Sequence, residues 1–144
     1  MKSALTQAVL LVLLTVLAAT AAFFTHPKAP ALYAVQEPLQ NDETSLQEIT
    51  ARWQGSVLWL DARPRDQYEK GHIPGALLLN EQEFDTQLLE LLDTLQTTTK
   101  PVILYCGGER CEASRKVREK LLAAVPLDQC LVLKGGWPAW QAAQ

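Results

Sequence analysis

The chain has 144 residues, a formal net charge of −3 and only two histidines. That balance argues against a basic nucleic-acid-binding surface and against a histidine-rich metal site. The length suffices for one domain with a real hydrophobic core and leaves little room for a second.

Met1-Lys2 opens the chain, and a nearly continuous apolar run from Ala8 to Phe24 follows, broken by Thr15 and Thr20. Its seventeen residues sit at the short edge of what crosses a bilayer as a helix. Residues 1–24 are therefore expected to form a transmembrane anchor or signal segment, with residues 8–24 in contact with the membrane. Lys2 favours a cytoplasmic N-terminus, which puts the rest of the chain on the exported, periplasmic side of a bacterial-type inner membrane. In the alternative, Ala19-Thr20-Ala21 is a small-residue cleavage motif and the domain is released as a soluble exported protein. Residues 25–43, with Pro27, Pro30 and Pro38, read as a tether in which Ala31 to Val35 could add an early edge strand.

The domain itself takes residues 44–144. Leu46, Ile49 and Trp53 share one face of a helix that starts near Ser45, capped by Thr44 or Ser45. Val57-Leu58-Trp59-Leu60 runs unbroken into Asp61, as expected of a strand covered on both faces and hence parallel. Arg65 to Lys70 is a short helix ended by Gly71. Ile73-Pro74-Gly75 turns the chain, and Ala76 to Leu79 is a further strand. Phe84, Leu88, Leu91, Leu92 and Leu95 recur at helical spacing, predicting an amphipathic helix over Glu81 to Gln96. Pro101 to Tyr105 is the next buried strand. Ala113, Val117, Leu121 and Ala124 form the apolar stripe of the helix after it. Cys130 to Leu133 is the last strand, ended by Gly135-Gly136, and Trp137-Pro138-Ala139-Trp140 begins a short terminal helix. The alternation predicts an α/β fold: a central parallel sheet with helices on both faces, preceded by one hydrophobic helix. Binding sites in such sheets lie beyond the carboxyl ends of the strands.

Cys106 stands at such an end, followed by Gly107-Gly108-Glu109-Arg110-Cys111-Glu112 and a helix. Converging backbone N–H groups and the positive end of a helix can hold a thiolate or persulfide there. The other reading is ordinary core filling, because unreactive cysteines are commonly buried. The three cysteines, Cys106, Cys111 and Cys130, form no CxxC pair, and only His26 and His72 could join them. Tetrahedral zinc is therefore disfavoured, and no metal or cofactor is expected.

Four separated stretches resemble the rhodanese-homology family. They are Trp59-Leu60-Asp61-Ala62-Arg63, Tyr68 through Ala76 (YEKGHIPGA), Leu104-Tyr105-Cys106, and Leu133 through Trp140 (LKGGWPAW), in the family's order. The resemblance implies a rhodanese-like fold and a sulfurtransferase activity in which Cys106 carries a sulfane sulfur as a persulfide. It implies that the loop Gly107, Gly108, Glu109, Arg110, Cys111 and Glu112 binds the substrate through main-chain N–H groups. Asp61, Arg63 and His72 correspond to structural supports rather than to groups that transfer sulfur. The donor would be thiosulfate or a persulfide, and the acceptor a thiol or another thiophile, including a protein.

The loop departs from the common Gly-x-Arg-Ser pattern and is longer by about two residues, with Cys111 inside it. Cys111 is thus either a redox partner that forms a reversible disulfide with Cys106 or a packing residue. Arg110 would attract an anionic donor, an effect that Glu109 and Glu112 oppose. Two other functions compete with turnover of a small donor. One is a membrane-tethered sulfur-relay or protein-binding module that does not turn over. The other, a cysteine-dependent phosphatase, is disfavoured because Glu112 stands six positions after Cys106, where such enzymes place an arginine.

Overall fold

A computed structural model describes residues 2–25, 38–108 and 112–144. The chain separates into two compact units, Met1–Glu37 and Pro38–Gln144. The first contains helix α1, Lys2–Thr25. Among the described residues no helix is long and apolar enough to cross a membrane. The expected anchor is corrected for a physical reason: the seventeen-residue run from Ala8 to Phe24 rises about 25 Å as a helix, against a hydrocarbon core about 30 Å thick. Two hydroxyls also interrupt the run, turned back onto their own helix at Thr15 (to Val12 O) and Thr20 (to Val16 O). Neither the transmembrane nor the signal-segment reading is retained. Membrane contact through residues 8–24 and the inner-membrane, periplasm-facing placement fall with them. The edge strand expected at Ala31 to Val35 lies outside the described residues.

The second unit alternates strands and helices in the order β1 (Glu43–Thr44), α2 (Leu46–Trp53), β2 (Leu58–Asp61), α3 (Arg65–Lys70), β3 (Leu77–Leu78), α4 (Phe84–Thr97), β4 (Val102–Tyr105), α5 (Glu112–Ala124), β5 (Cys130–Leu133) and α6 (Gly136–Ala142). The strands form one sheet in the order β1-β5-β4-β2-β3, and every neighbouring pair is parallel. The expected central parallel sheet with helices on both faces is present. β4 is its middle strand, and all four of its residues are buried. Its side chains alternate between two cores, as the period of a strand requires. Val102 and Leu104 pack with Leu60, Leu95, Val117 and Leu121, under α4 and α5. Ile103 and Tyr105 pack on the opposite face with Ile49 and Leu133, flanked by Trp53, Trp59, Trp137 and Trp140.

Local chemistry explains where the elements depart from their sequence patterns. Ser45 is the cap of α2: its Oγ accepts from the Glu48 N–H at 3.1 Å. β1 straddles the boundary read between tether and domain, with Glu43 on the tether side, since two residues are too few to show an alternating pattern. It is held by pairing with β5 and by Arg115 of α5, which forms ion pairs with Asp42 and Glu43. α4 begins at Phe84 rather than Glu81 because Asn80 is engaged in a turn. Its Oδ1 accepts from the Glu83 N–H and its own N–H donates to Gln87 Oε1. On α5 the buried residues are Ser114, Val117 and Leu121, whereas Ala113 and Ala124 are exposed. The stripe thus keeps Val117 and Leu121 and differs at its ends, with Ser114 buried in place of Ala113. Ser114 Oγ is buried with no hydrogen-bond partner among the described residues.

Candidate active site

The carboxyl ends of β2, β4 and β5 converge at one edge of the sheet. β2 and β4 stay paired to that edge, where the Ala62 N–H donates to Tyr105 O at 2.9 Å. Cys106 comes immediately after β4 and is 5% exposed. Its thiol donates to Gly108 O, with Sγ 3.1 Å from the oxygen. Gly107 and Gly108 are exposed beyond it, and Glu112 opens α5, also exposed. Glu109, Arg110 and Cys111 lie outside the described residues, and so does the expected pairing of Cys106 with Cys111.

Asp61 and Arg63 are brought together beside this loop. The Arg63 guanidinium grips the Asp61 carboxylate through Nη2 at 2.6 Å and Nε at 3.0 Å. A further bond from Nη2 to Gly71 O, at 2.6 Å, ties in the turn after α3. Both side chains are nearly fully buried. Burial is the largest single influence on the Arg63 charge and opposes it. The Asp61 bond and charge, with smaller help from Tyr105, outweigh burial and hold the guanidinium above its ordinary pKa. The guanidinium carbon also lies near two aromatic rings, 4.5 Å from the Trp137 centroid and 5.4 Å from that of Tyr105. Arg63 is therefore a buried brace joining β2, the turn after α3, β4 and α6, with its charge spent on Asp61 and the rings. Burial, above all, raises the Tyr105 phenol pKa, and the neighbouring Asp61 adds to the shift. The Tyr105 hydroxyl accepts from the Ile73 N–H at 3.1 Å.

His72 belongs to the same framework. Its Nδ1 lies 2.9 Å from Tyr68 O, and a carbonyl only accepts, so Nδ1 carries the proton in that bond. The imidazole stacks on the Tyr68 ring with centroids 3.9 Å apart. Among the described residues no group of three His, Cys, Asp or Glu is arranged to hold a metal ion. A groove of about 360 Å³ lined by Trp53, Thr98, Lys100 and Gln129 is at the amino ends of β4 and β5, opposite Cys106.

Three residues at the site escaped the sequence reading. The Trp137 N–H donates to Cys106 O at 2.7 Å. Gly136 lies against the same carbonyl, and Gln67 Oε1 is 3.3 Å from where a Cβ on Gly107 would stand. Paired glycines directly after a strand were the available signal for a close backbone approach.

The family model of the rhodanese-like domain matches residues 45–143. The chain belongs to the rhodanese-like domain family. Its class of enzyme is accordingly the rhodanese-like sulfurtransferases. The chain is 30% identical over 104 residues to an HTH-type transcriptional regulator of Mycobacterium tuberculosis, a match covering 60% of this chain and 44% of that protein. It is 36% identical over 59 residues to a tRNA uridine(34) hydroxylase of Buchnera aphidicola, covering 40% of this chain and 19% of that protein. The rhodanese-like chain thus spans less than half the length of either curated relative. Among solved structures, a thiosulfate sulfurtransferase of Pseudomonas aeruginosa superposes with a TM-score of 0.56 at 27% identity, over 80% of this chain and 20% of that one. A human single-domain sulfurtransferase shares the fold with a TM-score of 0.51 at 21% identity, over 73% of this chain and 99% of that one.

Proposed function

We propose that this rhodanese-like domain is a sulfur relay: Cys106 stores one sulfane sulfur and hands it to a protein thiol, and turnover of free small molecules is secondary. The observation that carries the reading is the position of Cys106 at the end of the central strand, directly before Gly107-Gly108. In the first step the Cys106 thiolate attacks the outer sulfur of a persulfide R–S–SH or of thiosulfate. The new S–S bond makes Cys106–S–SH from a persulfide, or Cys106–S–S⁻ from thiosulfate, which takes its proton from solvent, and R–S⁻ or sulfite leaves with the electron pair of the broken bond. In the second step an acceptor thiolate attacks that outer sulfur, the Cys106 thiolate departs, and the acceptor becomes the persulfide. No external oxidant or reductant enters either step.

A protein acceptor is supported by the curated relatives, in which the matching segment is a minority of a longer protein named for another activity. The similarity to a thiosulfate sulfurtransferase favours a second reading, multiple turnover from thiosulfate. Phosphate transfer has no comparable support: Glu112, an exposed carboxylate at the start of α5, repels a phosphoryl dianion.

Intact-mass measurement separates the readings. After incubation with thiosulfate or a low-molecular-weight persulfide, the chain gains one sulfur atom and keeps it in the absence of an acceptor protein. With cyanide as acceptor, thiocyanate forms only slowly. Cys106→Ser folds normally and gains no sulfur, because a hydroxyl is a far poorer nucleophile and holds no persulfide. Sustained rapid thiocyanate production replaces the relay with the turnover reading. Absence of a sulfur adduct with every donor removes both.

A further inference from the structure

We infer that Gly136 is a positioning residue for Cys106, and that its missing side chain sets the direction of the first amide in the sulfur-binding loop. The inference rests on the reading that Cys106 carries the sulfur. Leu104 is the last β4 residue paired with β5, opposite Val132. Along β5, Val132 and Lys134 turn their N–H groups to the β1 side, onto Asp42 O and Thr44 O, and the Cys106 carbonyl takes a hydrogen bond from α6. The Trp137 N–H, in the first turn of α6 and without an intrahelical acceptor of its own, supplies it at 2.7 Å.

That bond requires the backbone of α6 to come unusually close. A Cβ on Gly136 would stand 2.3 Å from Cys106 O, 3.1 Å from its carbonyl carbon and 3.3 Å from its nitrogen. All three atoms are backbone, so no side-chain rotation relieves the clash. Gly136 is buried, and its φ of +53° lies in the left-handed region. Its neighbour Gly135 also has a positive φ, +74°, but a Cβ there would meet the Ala139 side chain at 2.8 Å and not Cys106. The two glycines therefore carry similar backbone strain and differ in what they touch.

The consequence for the site follows from the planar trans peptide, in which C=O and the next N–H point in opposite directions. Holding the Cys106 carbonyl toward α6 aims the Gly107 N–H away from α6. From the other side, the Arg63 and Gln67 side chains bound the space at Gly107, at 3.6 Å and 3.3 Å from its Cβ position. The Cys106–Gly107 peptide is thus gripped on both sides, and Gly136 permits the tighter grip.

The test compares alanine at the two glycines in the full chain. Gly136→Ala pushes the Cys106 carbonyl off Trp137 and turns the Gly107 amide, and sulfur loading measured by intact mass slows roughly tenfold or more. Gly135→Ala is destabilised yet loads at the parent rate. Equal loading by Gly136→Ala and the parent, or equal slowing by Gly135→Ala, overturns the inference. A second measurement needs no altered glycine. The ¹⁵N–¹H resonance of the Trp137 amide should shift when Cys106 of the unaltered protein takes up sulfur or is alkylated with iodoacetamide, and an unmoved resonance overturns the inference even where Gly136→Ala fails to fold. The alkylation arm also keeps the two claims apart: a parent that takes no sulfur but moves the Trp137 signal on alkylation rejects the relay and retains the positioning role.

Discussion

Two buried cysteines at opposite ends of neighbouring strands have different prospects. Cys106 is beyond the last residue of β4, against a loop carbonyl and two exposed glycines. Cys130 begins β5 within the core under α4 and α5. Burial pushes the Cys130 thiol from its ordinary 9.0 up to about 11, and the charge of nearby Arg118 offsets only part of that. The folded state therefore keeps a proton that the unfolded chain releases. The stability attached to this proton is complete below pH 9 and is lost as pH rises through about 11. Chemical denaturation across that alkaline range is expected to show the decline. Cys130→Val, which fills a similar volume without a titrating group, should remove this component of it. Native alkylation at pH 8 followed by peptide mapping should leave Cys130 unlabelled, and rapid labelling would contradict the burial argument.

At the scale of elements, the shortest pieces depend most on their ends. α2 has eight residues, too few for a stable isolated helix in water. It persists because Ser45 satisfies one orphan N–H and because Ile49 buries its side chain against the sheet. Ser45→Ala is expected to lower stability by about 1 kcal/mol, read from the urea midpoint at unchanged slope. An unchanged midpoint would mean that packing alone holds α2. The cap was legible to within one residue, Thr44 or Ser45, and the structure decides for Ser45. β1 was not legible. Glu43 and Thr44 carry no strand signature, and their pairing depends on β5 and on Arg115, both far along the chain. The same applies to the α5 stripe. Ala113 and Ser114 are both small, and only packing against the sheet shows which of the two faces inward.

For the whole α/β unit, the governing fact is that β4 is sandwiched between two cores that meet only through the sheet. Ile103 belongs to one core and Leu121 to the other. Ile103→Val should cost about 1 kcal/mol and Leu121→Ala about 3 kcal/mol, through lost burial and the cavities left behind. The double variant is expected to lose their sum to within about 0.5 kcal/mol, as sites without shared partners do. A deviation above about 1 kcal/mol in urea denaturation would show that the sheet transmits repacking from one face to the other.

The sequence by itself determined the alternation of strands and helices, the burial of β4 on both faces and the position of Cys106 just past its end. Each of these follows from residue periodicity or from a signal within a few positions. The suggestion that Asp61 and Arg63 are supports came from the family resemblance, and the contact of Arg63 with the Trp137 ring had no local signal. The apolar run near the N-terminus misled because an apolar composition draws attention before the length and continuity of the apolar stretch are weighed against the thickness of a bilayer. Only the tertiary structure decided that Gly136 and Trp137, thirty residues downstream, close on the carbonyl of Cys106. The reason is topological: parallel strands joined by helical crossovers bring together, at one sheet edge, residues that share no local pattern.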